Sequence, residues 1–402
     1  MLKLRHFTRR LDDAAEAAPR RAASGCPAPS RPDGAAALGE RALLPSAKGR
    51  IRHVFMVASR RMPGFEQGML ERLLRLADGF DRISLAVHAA DRAEIGAFVR
   101  GLGLAAAVDV IAAPDGAALW PWAQDRIIAC RRADGSIAVL GSGDPDDYTA
   151  DAAAGACGAA GSVALGLPLP GGNILVDGDV CFVGGDLGEA VFDTTRAIQV
   201  VACAPLERRG PERFQMTPGD YTWRQDIDRC IAAGGSRQPV FHIDMFMTLA
   251  GMTPDGTPRI LLGDPVWASE LIGLPLPEGF PAKAFQQIEY GLRLRGYEVL
   301  RNPLPFVYFD NEEAKLREWF YASANNCWVE CMQDAGRSGE GGCRVFLPEY
   351  GFGPWAALKA TDDVNAEIWE HLGFEVVRGG DFLPLADQLG SLNCVSRILD
   401  RA

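Results

Sequence analysis

No apolar stretch in this sequence approaches the roughly 20 residues that a helix needs to span a bilayer, and the basic N-terminus lacks the apolar core of a secretory signal. A membrane-embedded or classically exported protein is therefore not expected. Positive charge is also in deficit: 41 Lys and Arg stand against 52 Asp and Glu, a formal net charge of -11. Such a chain is a poor tracker of phosphate backbones, so nucleic acid is not an expected partner. The charge mildly favours a cationic ligand, although solubility explains it equally well. Histidine is scarce, with five in 402 residues, which makes each one informative. The ten cysteines contain no paired CxxC units, and a chain of this size does not need disulfide staples. Most are expected to be small buried side chains in a reducing cytoplasm. A zinc site on Cys327, Cys331 and Cys343 is the minor alternative, with no histidine following to complete it. No acidic loop has the pattern of a calcium-binding EF-hand.

The composition is that of an ordinary globular protein, 48% hydrophobic and 23% charged. Residues 1–50 differ from the rest. They are rich in Ala, Arg and Pro and hold ten Lys or Arg against five Asp or Glu, about +5, which leaves about -16 on the remainder. A flexible tail is expected there. From Ile51 onward, short β-type runs alternate with helical ones. Val54–Val57, Ile83–Val87, Ile137–Leu140, Cys181–Val183, Arg259–Leu262, Tyr297–Leu300, Val345–Leu347 and Phe374–Val377 read as strands. Glu66–Ala77, Ala282–Arg295, Glu312–Phe320 and Asp363–Leu372 read as helices, the last with Asp362 or Asp363 as N-cap and Gly373 as its stop. The strands are too short for one long parallel sheet. The reading is an α/β chain of repeated strand-helix units, with residues 51–402 forming one catalytic domain.

Four segments place an ionisable or conformationally permissive group beside a strand-like run. They are Trp120–Arg126, Pro170–Gly178, Phe241–Phe246 and Gly390–Ser396, which contain Trp122-Ala123-Gln124-Asp125, Gly171-Gly172-Asn173, His242-Ile243-Asp244 and Asn393-Cys394. If 241–246 is a strand, His242 and Asp244 face the same side and could hold a cation and move a proton. A structural His-Asp pair accounts for them as readily. A lone cysteine such as Cys394 is usually a packing residue, and becomes a nucleophile only beside a base or positive charge. Gly171-Gly172 makes a turn or lets backbone approach a ligand. It is not a phosphate loop, because no GxGxxG pattern surrounds it.

Taken in order, the four segments resemble the guanidine-modifying, or pentein, superfamily. Trp122-Ala123-Gln124-Asp125 is similar to the W-x-Q-D of peptidylarginine deiminases; agmatine deiminases carry W-A-R-D there. His242-Ile243-Asp244 is similar to the H-x-D of peptidylarginine, agmatine and arginine deiminases and of glycine amidinotransferase. Leu392-Asn393-Cys394-Val395-Ser396 resembles the nucleophile segment of arginine deiminases and dimethylarginine hydrolases. The resemblance implies a pentein-type α/β propeller of five ββαβ-like units around a pseudo-fivefold axis. It implies that Cys394 attacks the guanidinium carbon, that Asp125 and Asp244 grip the nitrogens, and that His242 serves as acid and base. Trp122, Gly172 and Asn173 would line the substrate, and the chemistry needs no metal or organic cofactor.

Two positions depart from the pattern. Pro170 stands where arginine and agmatine deiminases carry Glu, and Asn393 stands where agmatine and peptidylarginine deiminases commonly carry His. Peptidyl arginine is the leading expected substrate, converted to citrulline with release of ammonia. Free arginine, agmatine or a methylated arginine is the alternative. An amidinotransferase and a non-catalytic binding protein of the same fold complete the range.

Overall fold

The structure, a computed structural model, describes residues 42–59, 67–141, 143–164, 171–178, 180–184, 196–200, 242–276, 280, 282–311, 316–332 and 342–402. Strands run β1 (Ala42–Leu43), β2 (Ile51–Ala58), β3 (Arg82–His88), β4 (Ala107–Ala113), β5 (Ile127–Arg131), β6 (Ile137–Gly141) and β7 (Val163–Ala164). They continue with β8 (Ile174–Asp177), β9 (Val180–Gly184), β10 (Arg196–Val200), β11 (Met247–Met252), β12 (Pro258–Asp264) and β13 (Glu298–Pro303). The last are β14 (Phe306–Asn311), β15 (Leu316–Tyr321), β16 (Trp328–Glu330), β17 (Cys343–Glu349), β18 (Phe374–Asp381) and β19 (Ser396–Arg401). Helices used below are α1 (Gln67–Leu76), α2 (Arg92–Gly101), α3 (Thr149–Ala156), α4 (Pro265–Ile272), α5 (Ala282–Arg293) and α6 (Lys359–His371). None of the described helices is long and apolar enough to cross a membrane.

One pairing pattern recurs five times. An antiparallel pair is followed by a parallel third strand in β19-β2-β3, β5-β6-β7, β8-β9-β10, β11-β12-β13 and β16-β17-β18. A parallel neighbour requires a crossover. Helices α1, α3, α4 with α5, and α6 provide it in four of the five; in the third, residues 185–195 lie outside the described set. These are the ββαβ units expected from the sequence. The first is assembled from both ends of the chain, because the C-terminal β19 pairs with β2.

The local chemistry fits each element. β2 reads Ile-Arg-His-Val-Phe-Met-Val-Ala and is buried at every position but Arg52, as a covered parallel strand requires. Met69, Leu70, Leu73 and Leu74 give α1 one apolar stripe that enters the main core, with Glu71 and Arg75 paired on the outer face at 2.7 Å. Gly373, at φ +86°, stops α6 as expected.

Four expectations need correction. Residues 42–50 are not tail: Leu44 N–H donates to Ala129, Ser46 N–H to Val176, and Gly49 N–H to Cys331. The expected helix Glu312–Phe320 is instead strand β15 over its described part, pairing antiparallel with β14. Its charged start resembles a helix, but Trp319, Phe320 and Tyr321 are aromatic strand formers that all go into the core. Asp362 does not cap a helix; it lies inside α6, and its carboxylate accepts from the N–H groups of Tyr350 (2.9 Å) and Gly351 (2.7 Å). Cys331 and Cys343 are joined in a disulfide. The β16-β17 register, with Glu330 opposite Arg344, brings the next residue of one strand onto the preceding residue of the other. That pairing removes two of the three ligands of the zinc alternative.

Candidate active site

Each of the five units begins with a tight turn immediately before its first strand. Ala123–Arg126 precedes β5, Gly171–Asn173 precedes β8 and Ile243–Met245 precedes β11, all as single 3-10 turns. Turns at 324–326 and 392–395 precede β16 and β19. Asp125, Gly172, Asn326 and Cys394 each stand two residues before a strand, and Asp244 stands three before. The expectation that 241–246 is a strand is therefore corrected. His242 and Asp244 sit on a turn, and they converge by its curvature rather than by strand alternation.

The turns touch in a circuit. Gln124 N–H donates to the Cys394 carbonyl at 3.3 Å. Gly171 lies so close to the Gln124 carbonyl that a Cβ would sit 2.0 Å from the oxygen. Asn173 accepts the Ile243 N–H at 3.0 Å. Asp244 accepts from Asn326 Nδ2 at 2.8 Å. Asn326 Oδ1 accepts from the N–H groups of Asn393 and Cys394 at 2.9 and 3.1 Å, which returns the circuit to its start.

All four residues expected to be catalytic meet on this ring. His242 Nδ1 lies 3.7 Å from Asp125 Oδ1. Gly172 packs between the side chains: a Cβ there would come 2.6 Å from His242 Nδ1 and 2.9 Å from Asp244 Oδ1. Only a residue without a side chain lets those two groups approach each other. The Gly172 N–H also hydrogen-bonds the Asp125 carboxylate. Asn173, expected to line the substrate, holds the His242 turn through its bond to the Ile243 N–H. Trp122, expected to do the same, is 3% exposed and packs its ring against Gly390 at the base of the nucleophile loop.

The electrostatics are those of an acidic site starved of water. Burial pushes the Asp125 carboxyl up to about 7, against the Gly172 hydrogen bond and the nearby cations Arg126 and Arg397. Burial raises Asp244 to about 6, opposed by His242 and by hydrogen bonds from Asn393 and Gln124. Oδ1 of each carboxyl is buried with no hydrogen-bond partner among the described residues. Burial, and then the charges of Asp244 and Asp125, hold the Cys394 thiol well above its ordinary value. Its sulfur rests 3.9 Å from the thioether of Met245. The site therefore holds a thiol kept neutral beside two buried carboxyls, each with one oxygen unpartnered among the described residues.

Solved agmatine deiminases share this architecture. The enzyme of Enterococcus faecalis aligns over 92% of this chain and 98% of its own, with a TM-score of 0.55 and 12% identity. A second protein assigned as an agmatine deiminase aligns over 89% and 95%, with a TM-score of 0.55 and 14% identity. The chain has the agmatine deiminase fold. No protein-family model and no curated protein matches the sequence itself.

Within this fold, Asn326 is the residue that sequence reasoning passed over. Its side chain is fully buried and binds the Asp244 carboxylate and two N–H groups of the nucleophile turn at once. Its position two residues before a strand, shared with Asp125 and Cys394, was the available signal. Replacing Asn326 with Leu keeps the volume but leaves three buried polar groups short of a partner, a loss of about 2–4 kcal/mol. A drop in kcat of about 10²-fold or more is expected with a lowered melting temperature. Kinetics and thermal unfolding of the same preparation check both.

Proposed function

We propose that the protein is a cysteine-dependent deiminase acting on a small guanidino compound of the agmatine or arginine kind. The observation that carries the reading is the convergence of Cys394, His242, Asp125 and Asp244 on one ring of turns, with two buried carboxyls short of a counter-charge. A guanidinium is planar, permanently charged and armed with paired donors that match carboxylates. Held by Asp125 and Asp244, it neutralises the charge that keeps Cys394 protonated and exposes its central carbon. The Cys394 thiol passes its proton to His242, and the thiolate adds to that carbon. His242 gives a proton to the departing nitrogen, ammonia leaves, and a thiouronium remains on Cys394. His242 then takes a proton from water, which adds to the same carbon. The C–S bond breaks, yielding a ureido product and the free thiol.

The solved neighbours support a small substrate, being agmatine deiminases. Gln124 in the Trp122–Asp125 segment supports peptidyl arginine as a second reading. The two are separated by incubating the protein with agmatine, arginine and a benzoyl-arginine amide and measuring ureido product and ammonia. One equivalent of each from agmatine or arginine, and none from the blocked amide, is expected. Product from the blocked amide alone would replace the small substrate with a peptide. Transfer of the amidino group only when an amine is added would make the protein an amidinotransferase.

A further inference from the structure

Strand β19 carries two arginines drawn into the interior, and only one has an evident structural task. Arg401 donates to the carbonyls of Ser46 (2.7 Å), Gly49 (3.0 Å) and Val329 (2.8 Å), tying the 42–50 segment to the fold. Arg397, four residues earlier, is only partly buried and makes no such carbonyl ties; its Nε, like that of Arg401, is shut off from solvent with no hydrogen-bond partner among the described residues. An enclosed guanidinium nitrogen without a partner is unfavourable, so its position calls for a cause. Arg397 lines a cavity whose wall also includes Asp244, Gln124 and Asn393. Cys394 and His242 are not part of that wall, so the cavity reaches Asp244 from a direction the nucleophile and the imidazole do not share. Gln124 Oε1 and Asp244 Oδ1 are both buried and lack hydrogen-bond partners among the described residues.

We propose that Arg397 is a positioning residue of the guanidinium site, a resident cation that balances one of the two buried carboxylates from behind and leaves charge for one incoming guanidinium in front. The second half of this statement rests on the deiminase reading; the first does not. Other charged and titratable groups surround the pair. Arg126 also favours the ionised form of Asp125, more than Arg397 does, but it is shared with Asp147 at 3.2 Å and covers the Trp120 ring. His242 adjoins Asp125 on the open side. Cys394 and Cys327 face Asp244 as thiols raised by burial. On the side of Arg397, Cys130 of β5 and Arg401 are the remaining groups. The interaction is mutual. Arg397 favours the ionised form of Asp125, and both aspartates favour the charged form of Arg397 against its burial.

The decisive experiment follows the two carboxyls in the empty protein. Protein labelled with carboxyl-¹³C aspartate is titrated by NMR, with Asp125→Asn and Asp244→Asn identifying the resonances. In Arg397→Met and Arg397→Gln the midpoints should rise by about one pH unit. In Arg397→Lys, which keeps the charge, they should rise by less than half as much. The acid limb of kcat/KM should move with them, mainly through KM. A merely structural arginine would lower the melting temperature and leave the midpoints in place, and that result in both neutral variants would overturn the proposal. If the wild-type protein turned over no guanidino compound, the deiminase reading would fail while the titration still decided the role of Arg397.

Discussion

Turnover of a guanidino substrate falls by about 10⁴-fold or more in Cys394→Ala, with the fold intact. The residue is 4% exposed and its backbone is fixed by the Asn326 amide, so loss of the sulfur removes the attacking atom and little else. The same geometry predicts an unusual reactivity pattern. The thiol of the empty site is held neutral by burial and by two acidic neighbours, and only thiolate is a competent nucleophile. A neutral alkylating agent such as iodoacetamide should therefore modify Cys394 slowly. A haloacetamidine carries its own cation between Asp125 and Asp244 and should label it at least about 10²-fold faster. Peptide mapping of the labelled protein, with Cys394→Ala as control, reads both outcomes.

Asp125→Asn is expected to move activity and stability in opposite directions. Activity should be lost, since an amide cannot supply the negative charge that captures the guanidinium. Stability should rise near pH 8. Burial raises Asp125 to about 7 in the folded protein from the ordinary 3.8 of an exposed carboxyl, so the native protein binds the proton more tightly than the unfolded chain. Stability from this group is full at low pH and is lost as pH rises from about 4 through about 7. Above that window the wild type carries a buried, poorly compensated carboxylate, and the asparagine variant does not. The gain is on the order of 2 kcal/mol, seen as a few degrees in melting temperature at pH 8, smaller at pH 5, and little or nothing below about pH 4. For the wild type, kcat/KM should rise with pH through about 6 to 7 as Asp244 and Asp125 ionise.

The sequence made the elements legible where periodicity was strong and the catalytic set legible where motifs were ordered. Strand β2 and helix α1 follow directly from their apolar patterns. The four residues proposed as catalytic follow from the order of W-x-Q-D, Gly-Gly, H-x-D and a late cysteine. Long-range geometry was not legible. Nothing local says that Gly171 must pass against the Gln124 carbonyl, or that Trp122 packs on Gly390. Glu312–Phe320 misled because its charged start has helical character while its aromatic end pairs with β14. The Cys331–Cys343 bridge became visible only through the β16-β17 register. Asn326 and Arg397 were missed for one reason: amides and arginines are common, and their meaning here comes from what they face across the ring. Asn393, which departs from the more usual His, donates to the Asp244 carboxylate at 3.0 Å and so keeps a polar contact at that position.

The central claim concerns a covalent bond between Cys394 and the guanidinium carbon. His242 serves both the formation and the hydrolysis of that intermediate, so the adduct is sought in the wild type during turnover, while His242→Ala is expected to stall both steps. The protein is mixed with agmatine or arginine, quenched in acid during turnover, and its peptides are mapped by mass spectrometry. The account predicts a thiouronium adduct, the substrate less one ammonia, on the peptide carrying Cys394. Ureido product formed by Cys394→Ala, or an adduct confined to another cysteine, would contradict it.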